Sequence, residues 1–163
     1  MSNEDRDASG HAWNQLQLIL DIFPRTDTMV GALLAIDTAM VAFFFSRWPP
    51  VSSATPAMVI VTLVYALFAG LALMEIYRCA FPNVDGNDKS VIFFKAIAAR
   101  KTAMDYATDF STHDERALSE QILEQVWRNS RILTSKFERL RAAMLWLLAS
   151  VPAWVVFFIV STN

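Results

Sequence analysis

Charged residues are distributed very unevenly along this chain of 163 residues. Residues 28–46 contain a single charge, at Asp37, and residues 48–74 and 142–163 contain none. Each stretch is long enough to cross a hydrocarbon layer of about 30 Å as a helix, which takes about 20 apolar residues. A water-soluble globule mixes charged and apolar residues along its chain. The pattern therefore excludes an ordinary soluble enzyme and predicts a membrane protein with three spans.

The segments outside the spans are predicted to be helical as well, because their apolar residues recur at intervals of three and four. We therefore predict an all-α fold: an integral membrane protein with three transmembrane helices and a cytoplasmic helical bundle whose last helix continues into the third span. The predicted parts are a cytoplasmic N-terminal amphipathic helix (1–27), transmembrane helix 1 (28–46), a short external loop (47–55), transmembrane helix 2 (56–74), a cytoplasmic helical region (75–141) and transmembrane helix 3 (142–160).

Lysine and arginine residues are concentrated in one connecting segment. Residues 75–141 contain eleven of the fourteen, whereas the loop between the first two spans contains only Arg47. Positively charged loops resist translocation across the membrane. We therefore expect the N-terminus and residues 75–141 on the cytoplasmic side, and the loop and the C-terminus on the opposite side.

Two helices are predicted within the cytoplasmic region. The first covers about residues 88–107. The second begins just after Thr112, because Thr112 and Glu115 have the spacing of a capping box. Its apolar residues keep helical spacing, without proline or glycine, up to Pro152. The third span thus extends inward as one long stalk, through which a cytoplasmic event would be coupled to the membrane.

Residues suited to catalysis are sparse. The chain has four glycines, too few for the glycine-rich loops that hold phosphates. Cys79 is the only cysteine and has no histidine or cysteine at zinc spacing. His113 lies among acidic residues, which we interpret as a solvated helix cap rather than a metal site. We therefore expect no catalytic residues, no metal and no cofactor.

Asp37 lies near the middle of the first span. A charge at the bilayer centre costs a few kcal/mol on insertion scales, so such a residue usually faces a bundle interior or water. One interpretation is a polar lining of a pore, or of a small ion or proton channel. The other is a packing role, in which a protonated or hydrogen-bonded Asp37 joins helices through Thr38 or Thr62. The sequence leaves both interpretations open.

Four residues of the cytoplasmic region are candidates for ligand binding. Arg128 and Arg131 are three residues apart and share a helix face, and Trp127 and Tyr106 are possible stacking partners. Guanidinium groups bind phosphate through forked donors, and an aromatic ring offers a flat surface to a base. The alternative is that the arginines only maintain topology and solubility, as the positive-inside bias requires.

The order of elements resembles the small transmembrane effectors of Pycsar, the bacterial pyrimidine cyclase anti-phage system (PycTM). The resemblance spans most of the chain and depends on four segments: Asp-Thr-Met at 27–29, Val-Ile-Phe-Phe-Lys-Ala-Ile-Ala at 91–98, Gln-Ile at 121–122 and Ile-Leu-Thr-Ser-Lys-Phe-Glu-Arg-Leu-Arg-Ala-Ala at 132–143.

The resemblance implies an effector of a two-gene defence system in the bacterial inner membrane, with its C-terminus in the periplasm. A partner cyclase would make cyclic UMP (cUMP) or cyclic CMP (cCMP), and the nucleotide would activate the effector to impair the membrane and cause abortive infection. The expected partners are the lipid bilayer, the nucleotide and further copies of the chain, because three spans cannot enclose a wide aqueous path; no nucleic acid polymer is expected. The alternatives are a non-enzymatic membrane adaptor and a small ion or proton channel that uses Asp37.

Overall fold

The computed structural model describes residues 3–50, 54–82 and 90–161, with side chains described from residue 9 onward. In these ranges the chain forms helices and no strand, so the all-α prediction is confirmed. The helices are α1 (Asn3–Leu20), α2 (Phe23–Ser46), α3 (Pro56–Ala80), α4 (Phe94–Ala98), α5 (Ala103–Ser111) and α6 (Glu115–Ser161).

Three helical stretches are long and apolar enough to cross a membrane. They are Ser9–Ser46, which contains α2, and the helices Pro56–Ala80 and Glu115–Ser161. The prediction of three spans is therefore confirmed. The stalk and the third span form one uninterrupted helix of 47 residues, with Pro152 inside it, because no helix-breaking residue precedes that proline.

The chain divides into two compact units. Unit 1 comprises Met1–Arg25 and Asn83–Thr134, and unit 2 comprises Thr26–Pro82 and Ser135–Asn163. Helix α6 therefore contributes residues to both units.

Unit 1 is held together by apolar contacts between α1 and the first part of α6. Ala12 and Leu16 of α1 are buried in one cluster with Ile122 of α6, and Ile92 and Val126 pack against them. The spacing of Ala12 and Leu16 places both on one face of α1, so this amphipathic helix covers the stalk portion of α6.

Unit 2 is a bundle of α2, α3 and the second part of α6. Near the loop between α2 and α3, the ring of Phe44 stacks on Tyr65 with centroids 4.5 Å apart and on Phe157 with centroids 4.0 Å apart. At the opposite end of the bundle, Val30, Ile76, Cys79, Leu140 and Ala143 form a second buried cluster.

The prediction of one helix over 88–107 is wrong for the residues described. Helices α4 and α5 are separate, because Thr102 has an extended backbone and caps α5. The Thr102 hydroxyl accepts a hydrogen bond from Asp105 N, and Asp105 Oδ2 accepts one from Thr102 N, both at 3.1 Å. This reciprocal capping starts a new helix where the apolar spacing alone suggested a continuous one.

The predicted cap at the start of α6 is also wrong. Asp114, not Thr112, caps this helix, since its Oδ1 accepts a hydrogen bond from Ala117 N at 2.8 Å. Thr112 instead donates its hydroxyl proton to Asp109 O, at the end of α5.

Candidate functional site

The segment before α4 is fixed to α6 by a partly buried glutamine. Gln121 Oε1 accepts hydrogen bonds from Ser90 Oγ and from Val91 N, both at 2.9 Å. Ser90 Oγ in turn accepts from the backbone N–H groups of Ile92 and Phe93 at 3.1 Å. These hydrogen bonds satisfy backbone donors of the segment and hold it in a bend that leads into Phe93 and Phe94.

These contacts shape one wall of a cavity in unit 1, which we call the Gln125/Arg128 cavity. Its volume is about 280 Å³. The other walls come from one face of α6 and from the last turns of α1. The lining residues are Leu16, Leu20, Ile92, Phe93, Phe94, Gln125, Arg128, Asn129 and Ile132.

The polar groups of this cavity all come from consecutive turns of α6. Gln125 is buried, and its Nε2 atom has no hydrogen-bond partner among the residues that the structure describes. Arg128 donates from an Nη atom to Glu124 Oε1 at 2.8 Å. Ion pairs that remain partly exposed, as this one does, contribute about 0–1 kcal/mol.

The groups that line the Gln125/Arg128 cavity suit a small anionic ligand with a flat, polar ring. Phe93 and Phe94 supply aromatic surface, the Gln125 amide supplies a buried donor that lacks an acceptor, and Arg128 supplies a cation. Ligand pockets are mostly apolar with a few convergent polar groups, and their volumes are about 300–1,000 Å³. This cavity is close to the lower end of that range, which suits a small ligand.

Tyr106 lines a different cavity, which is more apolar. This second cavity of unit 1 has a volume of about 440 Å³, and Trp13, Ile97 and Phe110 are among its lining residues. The Tyr106 hydroxyl donates to Val91 O at 3.3 Å. Tyr106 therefore supports the segment that Gln121 also holds.

Trp127 and Arg131 line neither cavity. The Arg131 guanidinium lies 5.0 Å from the centroid of the Trp127 ring, and the Trp127 side chain is exposed. The structure thus separates the four residues selected from the sequence: Arg128 is in one cavity, Tyr106 is in another, and Trp127 and Arg131 form an exposed cation–π pair.

Sequence reasoning missed the other polar residues of the cavity, Gln125 and Asn129. Their spacing from Arg128, three residues before and one after, was a usable signal, since positions 125, 128, 129 and 132 share one helix face. Gln125 and Asn129 are neutral, so a search for charge did not select them.

Unit 2 contains an ion-pair cluster that joins its three long helices. Asp27 of α2 accepts from Lys136 Nζ of α6 at 2.5 Å. Glu75 of α3 accepts from Arg139 of α6 at 3.0 Å and from Arg78 of its own helix at 3.1 Å. These contacts connect the start of α2, the end of α3 and the middle of α6.

A further cavity of about 220 Å³ lies between α2 and α3. Asp37, Thr62 and Tyr65 supply its polar lining, and Gly70 is on its wall. We call it the Asp37/Tyr65 cavity. Across the described ranges 3–50, 54–82 and 90–161, no group of three or more His, Cys, Asp and Glu side chains is placed to hold a metal ion.

A family model described as the Pycsar effector protein domain, PycTM, matches residues 11–161. The chain belongs to this family. The resemblance found in the sequence is therefore confirmed, and the chain is a defence effector of the Pycsar system with the three candidate spans of a multi-pass membrane protein. The family is one of transmembrane effectors and is not a known enzyme class. No curated protein and no solved structure matches the chain.

The segments that carry the family resemblance meet one another within each unit of this Pycsar effector. In unit 1, Gln121 holds Val91. In unit 2, Asp27 pairs with Lys136. The diffuse motifs of the sequence thus contain residues that contact one another in the structure.

Proposed function

We propose that this Pycsar effector is activated by a cyclic pyrimidine mononucleotide, cUMP or cCMP, bound in the Gln125/Arg128 cavity. Activation impairs the bacterial inner membrane and ends phage replication together with the host cell, as abortive infection. The observation that carries the proposal is the cavity itself, which combines aromatic rings, a buried unsatisfied amide donor and a cation in a chain of a defence-effector family.

Each part of the nucleotide has a matching group in the cavity. The cyclic phosphate carries one negative charge and would accept charge-assisted hydrogen bonds from Arg128. The pyrimidine ring carries carbonyl oxygens that would accept from Gln125 Nε2, and it can stack on an aromatic ring of Phe93 or Phe94. The small volume of the cavity favours a one-ring base over a purine.

Helix α6 is the element through which binding would reach the membrane. It carries Gln125 and Arg128 and continues to Ser161 without a break. A ligand shifts a conformational equilibrium only by its difference in affinity for the two states. We therefore propose that the nucleotide favours one arrangement of α6 in a homo-oligomer, whose assembled spans disturb the bilayer.

The proposal also requires that the Gln125/Arg128 cavity faces the cytoplasm, where a partner cyclase would make the nucleotide. The positive charges of residues 75–141 support this orientation. It places the N-terminus in the cytoplasm, the loop between α2 and α3 outside, and the C-terminus in the periplasm.

Calorimetric titration of the full-length protein in detergent tests the binding step. We expect heat of binding with cUMP or cCMP and none with cyclic AMP. Arg128→Ala is expected to weaken binding about tenfold or more, because hydrogen bonds to charged groups contribute about 1.5–3 kcal/mol. Arg116→Ala is the matched control, since Arg116 forms the same type of pair with Glu120 on the same helix but lines no described cavity.

Dye leakage from liposomes that carry the pure protein tests the membrane step. Leakage that rises with the bound nucleotide and fails in Arg128→Ala supports the proposal. Nucleotide binding without leakage would favour the adaptor alternative, in which the chain acts through a second membrane protein. Absence of binding for every cyclic pyrimidine nucleotide would reject the proposal.

A further inference from the structure

Two guanidinium groups of unit 2 share one buried carboxylate. Arg78 donates to Glu75 Oε1 at 3.1 Å, and Arg139 donates to Glu75 Oε2 at 3.0 Å. The other pair of the ion-pair cluster, Lys136 with Asp27, contains one charge of each sign. The cluster therefore combines three cations with two carboxylates and retains an excess positive charge.

Both guanidinium groups have donors left for a further anion. The side chains of Arg78 and Arg139 are 49% and 45% exposed, whereas that of Glu75 is 9% exposed. Within the described part of the chain, each guanidinium uses one nitrogen in its bond to Glu75. Because a guanidinium has five N–H donors, the exposed side of the pair can bind an acceptor without breaking these bonds.

The two arginines lie at the same depth in the bundle. Arg78 is 22 residues from the start of α3 at Pro56, and Arg139 is 22 residues from the end of α6 at Ser161. At 1.5 Å per residue, each lies about 33 Å from that end of its helix. The hydrocarbon core of a bilayer is about 30 Å thick, so both guanidinium groups are at the level of the lipid headgroups.

The surface of α3 beside Arg78 has the character of a lipid-facing surface. Met74, Leu67 and Leu63 precede Arg78 by 4, 11 and 15 residues, so they share its helix face, and all three are exposed. Tyr77 is exposed next to Arg78, and tyrosine is enriched where headgroups meet hydrocarbon. An anion bound at Arg78 would thus have an apolar surface beneath it, which suits the acyl chains of a lipid.

We propose that Arg78 and Arg139 together bind the phosphate of an anionic phospholipid. Guanidinium groups bind phosphate through charge-assisted, forked hydrogen bonds, and Glu75 holds the two groups on either side of its carboxylate. The excess positive charge of the cluster selects an anionic over a zwitterionic lipid. The site needs no nucleotide, so it stands apart from activation at the Gln125/Arg128 cavity.

Thermal unfolding of the full-length protein in a neutral detergent, without nucleotide, tests this site. Phosphatidylglycerol is added in increasing amounts, with phosphatidylcholine of the same acyl chains as the control for charge and glycerol 3-phosphate as the control for a free phosphate. A ligand that binds only the folded state raises the Tm as its concentration rises. We expect phosphatidylglycerol to raise the Tm above that in phosphatidylcholine, and glycerol 3-phosphate to leave it unchanged.

Matched variants separate the site from a general attraction of positive charge to anionic lipid. Arg78→Gln and Arg139→Gln are each expected to shift the phosphatidylglycerol titration to about tenfold higher concentration, because each removes hydrogen bonds to a charged group. Arg141→Gln is the control, since Arg141 is exposed and lies two residues from Arg139, on the opposite side of α6. If Arg139→Gln does not fold, Arg78→Gln against Arg141→Gln decides the question.

Three results would overturn the proposal. The first is the same Tm in phosphatidylglycerol and phosphatidylcholine. The second is an equal loss of the phosphatidylglycerol effect in Arg141→Gln and in the two site variants, which would reduce it to a general attraction. The third is an equal rise of the Tm with glycerol 3-phosphate, which would make the pair a site for a free phosphate.

Discussion

The ion pairs of the two units connect different kinds of neighbours. Among the described residues of unit 1, pairs such as Arg116–Glu120 and Arg128–Glu124 join residues four apart on one helix. In unit 2, Lys136 and Asp27 are 109 residues apart, and Arg139 and Glu75 are 64 residues apart. The described ion pairs of the two units therefore differ in range. In unit 1 the widest separation is the nine residues between Arg100 and Asp109. Unit 2 has a local pair within α3, Glu75 with Arg78, and also the two pairs that connect different helices.

This difference follows from what drives assembly in each environment. In water, burial of apolar side chains brings helices together, and unit 1 has such a cluster around Leu16 and Ile122. In lipid, apolar burial does not distinguish one span from another, because lipid tails are as apolar as leucine. The polar contacts of Asp27 and Glu75 therefore specify which spans meet and in which register.

The largest effect is expected at the buried cation of unit 2. The Lys136 side chain is 6% exposed, whereas that of its partner Asp27 is 58% exposed. Asp27→Asn removes the carboxylate from a buried ammonium group and should cost about 3 kcal/mol, since breaking a buried pair from one side is strongly destabilising. Lys136→Met should cost less, because Asp27 remains hydrated. The Tm of each variant in detergent measures both effects.

The double variant Asp27→Asn with Lys136→Met is the internal control for that experiment. It should be more stable than Asp27→Asn alone, because the buried ammonium group that loses the Asp27 carboxylate in the single variant is then absent. A double variant that is as unstable as the sum of the two single variants would contradict a specific pairing between these residues.

In unit 1 the largest effect is expected from a neutral residue. Gln121→Ala removes the acceptor of Ser90 Oγ and Val91 N and should cost about 2 kcal/mol, at about 1 kcal/mol for each hydrogen bond. It should also weaken nucleotide binding, since the segment that carries Phe93 loses its anchor. Tm and calorimetric titration measure the two effects, with the exposed Gln17→Ala as control. Unchanged nucleotide affinity would show that this wall does not contribute to the site.

A smaller and local effect is expected at the capping box of α5. Thr102→Ala removes the acceptor for Asp105 N and should cost about 1 kcal/mol, the usual value for an N-cap threonine. Amide hydrogen exchange should become faster in α5 and remain unchanged in unit 2. Thr108→Ala, inside the same helix, is the control. Faster exchange in α3 would contradict a local role for this cap.

The smallest effect is expected at an exposed ion pair. The side chains of Arg116 and Glu120 are 84% and 68% exposed, so Arg116→Ala should change stability by about 0.3–0.5 kcal/mol, as for other exposed pairs four residues apart. The Tm should shift by about 1–2 °C, at roughly 2–4 °C per kcal/mol for a chain of this size. A loss as large as that in Asp27→Asn would remove the distinction between the two units.

Much of the fold could be predicted because it depends on residues that are neighbours along the chain. The three spans follow from the charge-free stretches, and the continuity of α6 follows from the absence of proline and glycine before Pro152. The prediction of one helix over 88–107 is wrong, and the reason again involves residues that are neighbours along the chain. Thr102 and Asp105 form a cap that starts a new helix, and the apolar spacing used for the prediction contains no information about caps.

The candidate sites were predicted only in part. Arg128 and Asp37 were selected because a charge is conspicuous in a sequence. Gln125 and Tyr65 were missed because their significance depends on a burial that leaves a polar atom unsatisfied. The spacing of residues along a sequence does not indicate whether a neutral polar atom has a hydrogen-bond partner in the folded chain.

The sequence by itself determined the all-α class, the three spans and the continuity of α6, since hydrophobicity and helix formation depend on residues within a few turns of each other. Its motifs also indicated the Pycsar effector family. Only the tertiary structure decided that Lys136 meets Asp27, that Gln121 holds Val91 and that Asp37 shares a cavity with Tyr65. These partners are far apart in the chain, and their contacts depend on which helix faces are buried together.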